Sequence, residues 1–163
     1  MNRYFANLLT TRFALRRAFP ASVLAEIEGA VRAAEQNHRA QICFAIETAL
    51  DLPALIRGVT PRDRAVEAFA TLGVWDTAEN SGVLIYVLLA EHDIEVVADR
   101  GYDGLVSAED WCNVCDDIRL EFRQGRFREG ALKGIDDVSA IIERHFPGTA
   151  AAGNELGDRP RLI

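Results

Sequence analysis

Five side chains that bear oxygen or nitrogen lie in two short segments and are the best candidates for chemistry. Asp76 and Asn80 precede one apolar run, and Asp99, Arg100 and Asp103 follow the next. Carboxylate and amide oxygens are the ligands that Ca²⁺ and Mg²⁺ prefer. The four oxygen-bearing residues therefore form a candidate metal site, with Arg100 as a candidate phosphate-binding residue. Acids alone repel a phosphate, so hydrolysis at this place requires a bound cation.

One of these segments also approximates a calcium-binding loop. Residues 99–110 carry acids at loop positions 1, 5 and 12 and a glycine at position 6. Position 3 is Gly101, position 12 is Asp110 where the pattern has a bidentate Glu, and a strand enters in place of a helix. We favour the alternative interpretation, a glycine turn followed by a helix that begins at the cap residue Ser107.

The cysteines and histidines do not form a recognisable site. Cys112 and Cys115 are a C-x-x-C pair, but they fall inside a predicted helix without a second pair of ligands, which favours core packing. Cys43 has no histidine partner, so a thiol nucleophile is not expected. The three histidines are far apart, at two helix ends and a turn: His38, His92 and His145.

The N-terminal segment, residues 1–19, has the pattern of a basic amphipathic helix. Its apolar residues recur at helical spacing (Phe5, Leu8, Leu9 and Phe13), and its basic residues include Arg12, Arg16 and Arg17. Such a helix lies on an anionic membrane surface or docks on a partner protein through these three arginines. The alternative is a packing arm that covers the core of its own domain.

The bulk composition limits the class of protein. A chain of 163 residues with 49% hydrophobic residues is of the size of one domain, and three cysteines argue against a disulfide framework. The net charge of −7 disfavours nucleic-acid binding, because phosphate contacts need a basic surface. The longest apolar run, residues 83–90, has the length of a strand, and no secretory signal is recognised. We expect a cytoplasmic protein without a nucleic-acid partner.

The order of predicted elements is helix, helix, strand, helix, strand, strand, helix, helix. The strands are residues 41–47, 82–90 and 94–99. A helical crossover makes the first two parallel, and a short turn makes the last two an antiparallel hairpin. The expected fold class is α/β, a three-layer α/β/α sandwich with a small mixed β-sheet. It occupies residues 20–147, and residues 148–163 are expected to be a loosely ordered tail.

This topology predicts that the candidate residues converge at one edge of the sheet. The start of the first strand at Gln41, the loop of residues 76–81 and the turn of residues 99–104 share that edge. Glu47 and the turn at His92 lie at the opposite edge. The four oxygen-bearing residues at this edge, Asp76, Asn80, Asp99 and Asp103, are called here the acidic loop cluster. They offer the oxygen ligands that a hard cation needs.

Three segments resemble the TPM-domain family. Residues 75–85 look like its Asn-Asn-Gly step into an apolar strand, residues 94–101 like the following strand and glycine turn, and residues 130–135 like its closing helix. The similarity covers about residues 20–147 and implies an α/β/α sandwich. Relatives include thylakoid-lumen proteins linked to photosystem II repair, and some are described as acid phosphatases or calcium binders. Short bacterial versions with a basic N-terminal helix resemble partners of LemA-type membrane proteins.

Two departures from the family pattern reduce the case for metal-assisted hydrolysis. Many relatives have Glu at the position of Gln41, and the second Asn of the Asn-Asn-Gly step is Ser81 here. The first hypothesis is therefore a non-enzymatic accessory domain, peripheral to the inner membrane, that acts with a membrane-associated partner. The second is binding of Ca²⁺ or Mg²⁺ by the acidic loop cluster. The third is a metal-dependent acid phosphatase at the same place.

Overall fold

The centre of the protein is a sheet whose inner strands are almost entirely apolar. In the computed structural model, which describes residues 3–163, β1 spans Ile42–Glu47, β2 spans Val83–Leu88 and β3 spans Asp93–Ala98. Every residue of β1 and β2 is buried. A strand that is buried on both faces lies between two other layers, as the continuous apolar runs predict.

The pairing of these strands confirms the predicted sheet. β1 pairs with β2 in parallel, with Ile42 opposite Val83, and β2 pairs with β3 as an antiparallel hairpin. A fourth strand, β4 (Arg161–Leu162), pairs in parallel with β1, so the order is β3-β2-β1-β4. The tail was predicted to be loosely ordered; instead its last residues extend the sheet.

Helices cover both faces of the sheet and make the three-layer α/β/α sandwich. The helices are α1 (Arg3–Leu9), α2 (Arg12–Ala18), α3 (Ala21–Ala34), α4 (Leu52–Ile56), α5 (Pro61–Thr71), α6 (Ala108–Arg123) and α7 (Phe127–His145). Residues of α2, α3, α6 and α7 pack on one face in a single apolar cluster, and residues of α4 and α5 pack on the other. The fold class predicted from the sequence is confirmed.

Two helix starts follow directly from their capping residues. The hydroxyl groups of Thr60 and Ser107 accept hydrogen bonds from the backbone N–H of Asp63 and Asp110, whose carboxylates bond back to the cap residues. Each capping box satisfies N–H groups that would otherwise lack partners, typically worth about 1 kcal/mol. These boxes fix the starts of α5 and α6, and α6 begins at the cap residue that the sequence predicts.

The structure corrects two predictions about the helices. The predicted N-terminal helix is two helices interrupted at Thr10 and Thr11, while Met1 and Asn2 lie outside the described residues. The predicted order has one helix between the first two strands, whereas the structure has two, α4 and α5. The inward face of α5 carries Ala65 and Ala68, whereas Val66 is exposed. Because alanine side chains are small, the size of the apolar side chains does not identify the buried face of α5.

Candidate functional site

The loop before β2 and the turn after β3 meet at one edge of the sheet, as the topology predicts. The N–H of Gly101 donates to the carbonyl of Asn80 at 2.9 Å, and the N–H of Asp99 donates to the carbonyl of Gly82 at 2.9 Å. Gly101 is required here, because a Cβ atom would lie 2.4 Å from the Asn80 carbonyl oxygen. The loop before β2 and the turn after β3 are therefore in backbone contact.

The side chains of this cluster are paired with one another, exposed or, at Asp99, partly buried. The guanidinium of Arg100 donates to the Asn80 side-chain oxygen from Nε at 3.0 Å and from Nη2 at 2.8 Å. Asp99 accepts from the N–H of Arg100 through Oδ1, whereas its Oδ2 is buried without a partner. Asp76 and Asp103 are exposed. Within residues 3–163, no three His, Cys, Asp or Glu side chains are grouped closely enough to hold a metal ion.

The segment that approximates a calcium loop folds as the glycine turn and Ser cap. Arg100–Tyr102 is one turn of 3-10 helix, with Tyr102 buried. The Asp110 carboxylate, the last acid of the pattern, accepts from the N–H of Ser107 at 3.1 Å and from its hydroxyl at 2.7 Å. The hydrogen bond from the Ser107 hydroxyl lowers the pKa of Asp110. Its oxygens are thus occupied at the start of α6.

The two positions that depart from the family pattern have structural roles. The Gln41 side-chain oxygen accepts from the N–H groups of Glu155 at 2.7 Å and Leu156 at 3.2 Å, and so holds the C-terminal tail. The carbonyl of Ser81 accepts from the Tyr102 hydroxyl at 3.0 Å. Both Gln41 and Ser81 are buried.

Two of the three thiols have the environment of core residues. Burial raises the pKa of Cys43 to about 11 and that of Cys115 to about 11. Cys112 is exposed on α6, one helical turn before Cys115, so the packing role predicted for it is wrong. A buried thiol with a raised pKa is a poor nucleophile, in agreement with the packing role predicted for Cys115.

The N-terminal arm, defined here as residues 3–19 with α1 and α2, has its polar side inward and its apolar side outward in α1. Asn7 is buried: its Oδ1 accepts from the N–H of Leu50 at 2.7 Å, and its Nδ2 donates to Glu91 at 2.8 Å. Arg3 donates to the same Glu91 carboxylate at 2.6 Å. The predicted apolar residues, Phe5, Leu8, Leu9 and Phe13, are instead between 60% and 75% exposed.

In α2 the arm joins the core by a different set of residues. Leu15 and Phe19 are buried in the apolar cluster under α3 and α6. Phe13 stays at the surface, three and four residues before Arg16 and Arg17, so it lies between them on the exposed face. Arg12, Arg16 and Arg17 form no ion pair with any acid of residues 3–163.

A buried polar cluster was not singled out by the sequence reasoning. Glu47 ends β1 and accepts from the Tyr86 hydroxyl at 2.6 Å and from Arg64 Nε at 2.8 Å. Burial is the main cause that raises the pKa of Tyr86, and the hydrogen bonds to Glu47 raise that of Arg64. An acid at the end of an otherwise apolar strand was the signal that could have identified it.

Glu35 is a second titratable group that the sequence did not reveal. It follows α3 and accepts from the N–H of Ile42 at 2.7 Å. Burial raises its pKa to about 7, and the nearby Asp158 adds to this rise. Asp158 belongs to the tail and accepts from Arg32 Nε at 2.9 Å.

The comparisons with known proteins agree with this fold. The family model described as "TPM domain" matches residues 16–141, so the chain belongs to the TPM-domain family. The solved NMR structure of the BA42 protein from the psychrophilic bacterium Bizionia argentinensis is similar, with 27% identity and a TM-score of 0.77, over 89% of this chain and 95% of that one. An N-terminal domain of a P. gingivalis protein matches at 17% identity with a TM-score of 0.63, over 80% of both chains, and shows the fold alone. No curated protein matches the chain.

Proposed function

We propose that this chain is a non-enzymatic accessory domain of the TPM type that rests on an anionic membrane surface through its N-terminal arm and there meets a membrane-associated partner. The observation that carries the proposal is the reversed orientation of α1. An amphipathic helix that packs on its own domain places its apolar face inward. Here Phe5, Leu8 and Leu9 face solvent, and Asn7 and Arg3 face the body.

The orientation of α1 is held by specific hydrogen bonds. Turning the apolar face inward would break the contacts of Asn7 with Leu50 and Glu91 and those of Arg3 with Glu91. It would leave the Leu50 N–H buried without a partner, which costs about 1–3 kcal/mol. The exposed apolar face is therefore a property of the folded domain, and it needs a surface of low polarity to cover it.

The charges beside this face favour an anionic lipid surface as that cover. Arg12, Arg16 and Arg17 are exposed and unpaired within residues 3–163, and each basic residue near an anionic leaflet contributes about 1 kcal/mol. Phe13, between two of them, is of the side-chain type that enters the boundary between headgroups and acyl chains. No helix of residues 3–163 is long and apolar enough to cross a membrane. The exposed arginines and Phe13 together support attachment of the arm at a membrane surface.

Cosedimentation with vesicles tests the proposal. The double variant Leu9→Ser and Phe13→Ser removes two exposed apolar side chains, so we expect it to lose most binding to vesicles that contain phosphatidylglycerol. Leu120→Ser is the matched control, because Leu120 is 55% exposed on α6 and should leave binding unchanged. Equal binding of the double variant and this control would refute the proposal, as would the absence of vesicle binding by the parent protein.

Point substitutions are preferable to deletion of residues 1–19. Leu15 and Phe19 belong to the main apolar cluster, so their removal would expose the core along with the arm. Melting curves of each variant check that the fold is retained, and we expect no more than a small shift because the substituted side chains are exposed.

We also propose that the domain works at the cytoplasmic side of an inner membrane.

Binding of a cation by the acidic loop cluster is a separate alternative hypothesis. Binding of Ca²⁺ or Mg²⁺ by Asp76, Asn80, Asp99 and Asp103, with or without phosphatase activity, stays a prediction. The Asn80 side-chain oxygen already accepts from Arg100, so a cation would have to compete with a guanidinium for it.

A further inference from the structure

Among residues 3–163, no strand pairs with β4 on the side away from β1, so this edge of the sheet is open. β4 has β1 on one side, where the N–H of Ile163 donates to the carbonyl of Ile46 at 3.0 Å. Because backbone groups alternate in direction along a strand, the N–H and C=O of Leu162 point away from β1. Leu162 and Ile163 are 51% and 42% exposed. An open edge with apolar side chains is a template for another strand.

A continuous groove runs along this edge. Two cavities of about 750 and 720 Å³ share Ala21, Leu24, Leu162 and Ile163 in their linings. The groove has α3 on one side, and the other side of the first cavity is formed by Leu72 at the end of α5. It therefore lies between the two helical layers, where the next strand of the sheet would run.

The charges that line the groove are mostly positive. Arg12 and Arg16 line one cavity, and Arg159 and Arg161 line the other. None of these four forms an ion pair with an acid in the part of the chain that the structure describes. Glu28, the acid in the lining, is paired with Arg32 at 2.8 Å. The groove along β4 is therefore basic, although the protein as a whole is acidic.

We propose that this groove binds an extended, acid-rich segment of a partner protein, which adds to β4 as a fifth strand. A strand next to β4 would lie about 4.8 Å away and bond to the free N–H and C=O of Leu162. Its alternate side chains would point toward α3 and toward Leu72, both apolar, while acidic side chains reach the arginines of the rim. The groove shares Arg12 and Arg16 with the proposed lipid surface, but the inference rests on the sheet edge at β4 and not on the exposed apolar face of α1.

Selection of peptides by the intact protein identifies the sequence class of the occupant. Random twelve-residue peptides displayed on phage are selected on immobilised full-length protein without lipid. We expect the enriched peptides to be rich in Asp and Glu, with aliphatic residues at every second position. Enrichment of basic peptides, of helical spacing, or of no pattern would overturn the proposal.

A matched pair of variants then tests the location with a selected peptide labelled with fluorescein. Ala21→Asp and Ser22→Asp each add one acid to the first turn of α3, where a negative charge favours the helix. Ala21 lines both cavities, so its variant should weaken binding in fluorescence anisotropy about fivefold or more, while Ser22→Asp should change it little. Equal effects of the two variants would overturn the proposed location.

Two further measurements distinguish strand addition from other contacts. Bound peptide should slow hydrogen exchange of the Leu162 amide, and an unchanged exchange rate would contradict strand addition. Sedimentation velocity detects the alternative occupant, since a dimer that Ala21→Asp dissolves would show that a second copy fills the groove. Binding that survives in the Leu9→Ser and Phe13→Ser double variant would separate this groove from the membrane surface.

Discussion

Replacing Tyr86 by phenylalanine tests whether the buried polar cluster of Tyr86, Glu47 and Arg64 stabilises the protein. Tyr86 is fully buried and donates to Glu47 at 2.6 Å, and Glu47 is only 6% exposed. The variant removes one oxygen atom and leaves the ring in place, so almost no cavity forms, and the loss of packing contributes little to the change in stability. A hydrogen bond to a buried charged acceptor contributes about 1.5–3 kcal/mol. We expect Tyr86→Phe to lower the free energy of unfolding by about 2 kcal/mol.

The assay is urea unfolding followed by circular dichroism, supported by thermal melting. For a chain of this length, about 2 kcal/mol corresponds to a fall of roughly 4–8 °C in the melting temperature. Tyr102→Phe is the control, because Tyr102 is equally buried but donates to the neutral carbonyl of Ser81 at 3.0 Å. We expect this control to lose about 1 kcal/mol.

The comparison of the two tyrosines decides whether the charge of Glu47 increases the stability gained from its hydrogen bond with Tyr86. Tyr86→Phe should cost clearly more than Tyr102→Phe, and a double-mutant cycle with Glu47→Gln should show coupling of more than about 1 kcal/mol. Arg64 is 30% exposed, so it can turn partly toward solvent when Glu47 is neutralised. A loss below about 0.5 kcal/mol for Tyr86→Phe would refute the reasoning, since it would mean that the hydroxyl gains nothing from its buried acceptor.

Two further predictions concern pH and calcium. Burial raises the pKa of Glu35 to about 7, above the value of about 4.3 in an unfolded chain, so this group favours the folded state most at low pH. Its contribution should fall by about 3 kcal/mol between about pH 4 and pH 7, and Glu35→Gln should remove that fall in urea unfolding measured across this range; an unchanged pH profile would contradict the burial argument. The cation hypothesis predicts that millimolar calcium raises the melting temperature of chelator-treated protein and that Asp99→Asn removes most of the rise. A melting curve unmoved by calcium or magnesium would contradict that hypothesis.

Much of the framework follows from local sequence signals. The apolar runs identify β1 and β2 as strands buried on both faces, and the short turn at His92 identifies the hairpin of β2 and β3. Thr60 and Ser107, each followed by an acid three residues later, mark the starts of α5 and α6. These signals are reliable because each depends on neighbours in the chain, and two of the segments that resemble the TPM domain overlap β2 and β3.

The acidic loop cluster was predicted in its location but not in its contacts. Parallel strands require that the loop before β2 and the turn after β3 meet, and the bond from Gly101 to Asn80 shows that they do. Which oxygens stay free depends on side-chain geometry across the chain. The pairing of Arg100 with Asn80 spans 20 residues of sequence and has no local signature.

The sequence by itself determined the pairing of the hairpin strands, the helix caps and the amphipathic pattern of the N-terminal segment, because these depend on periodicity and on residues a few positions apart. Only the tertiary structure decided which side of α1 faces the body, since a buried Asn7 satisfies an N–H at Leu50, 43 residues away. It also decided that the tail, through Arg161 and Leu162, completes the sheet and leaves an edge open. Hydrogen bonds between distant segments have no signature in local periodicity, so the orientation of α1 and the open edge at β4 are visible only in the folded chain.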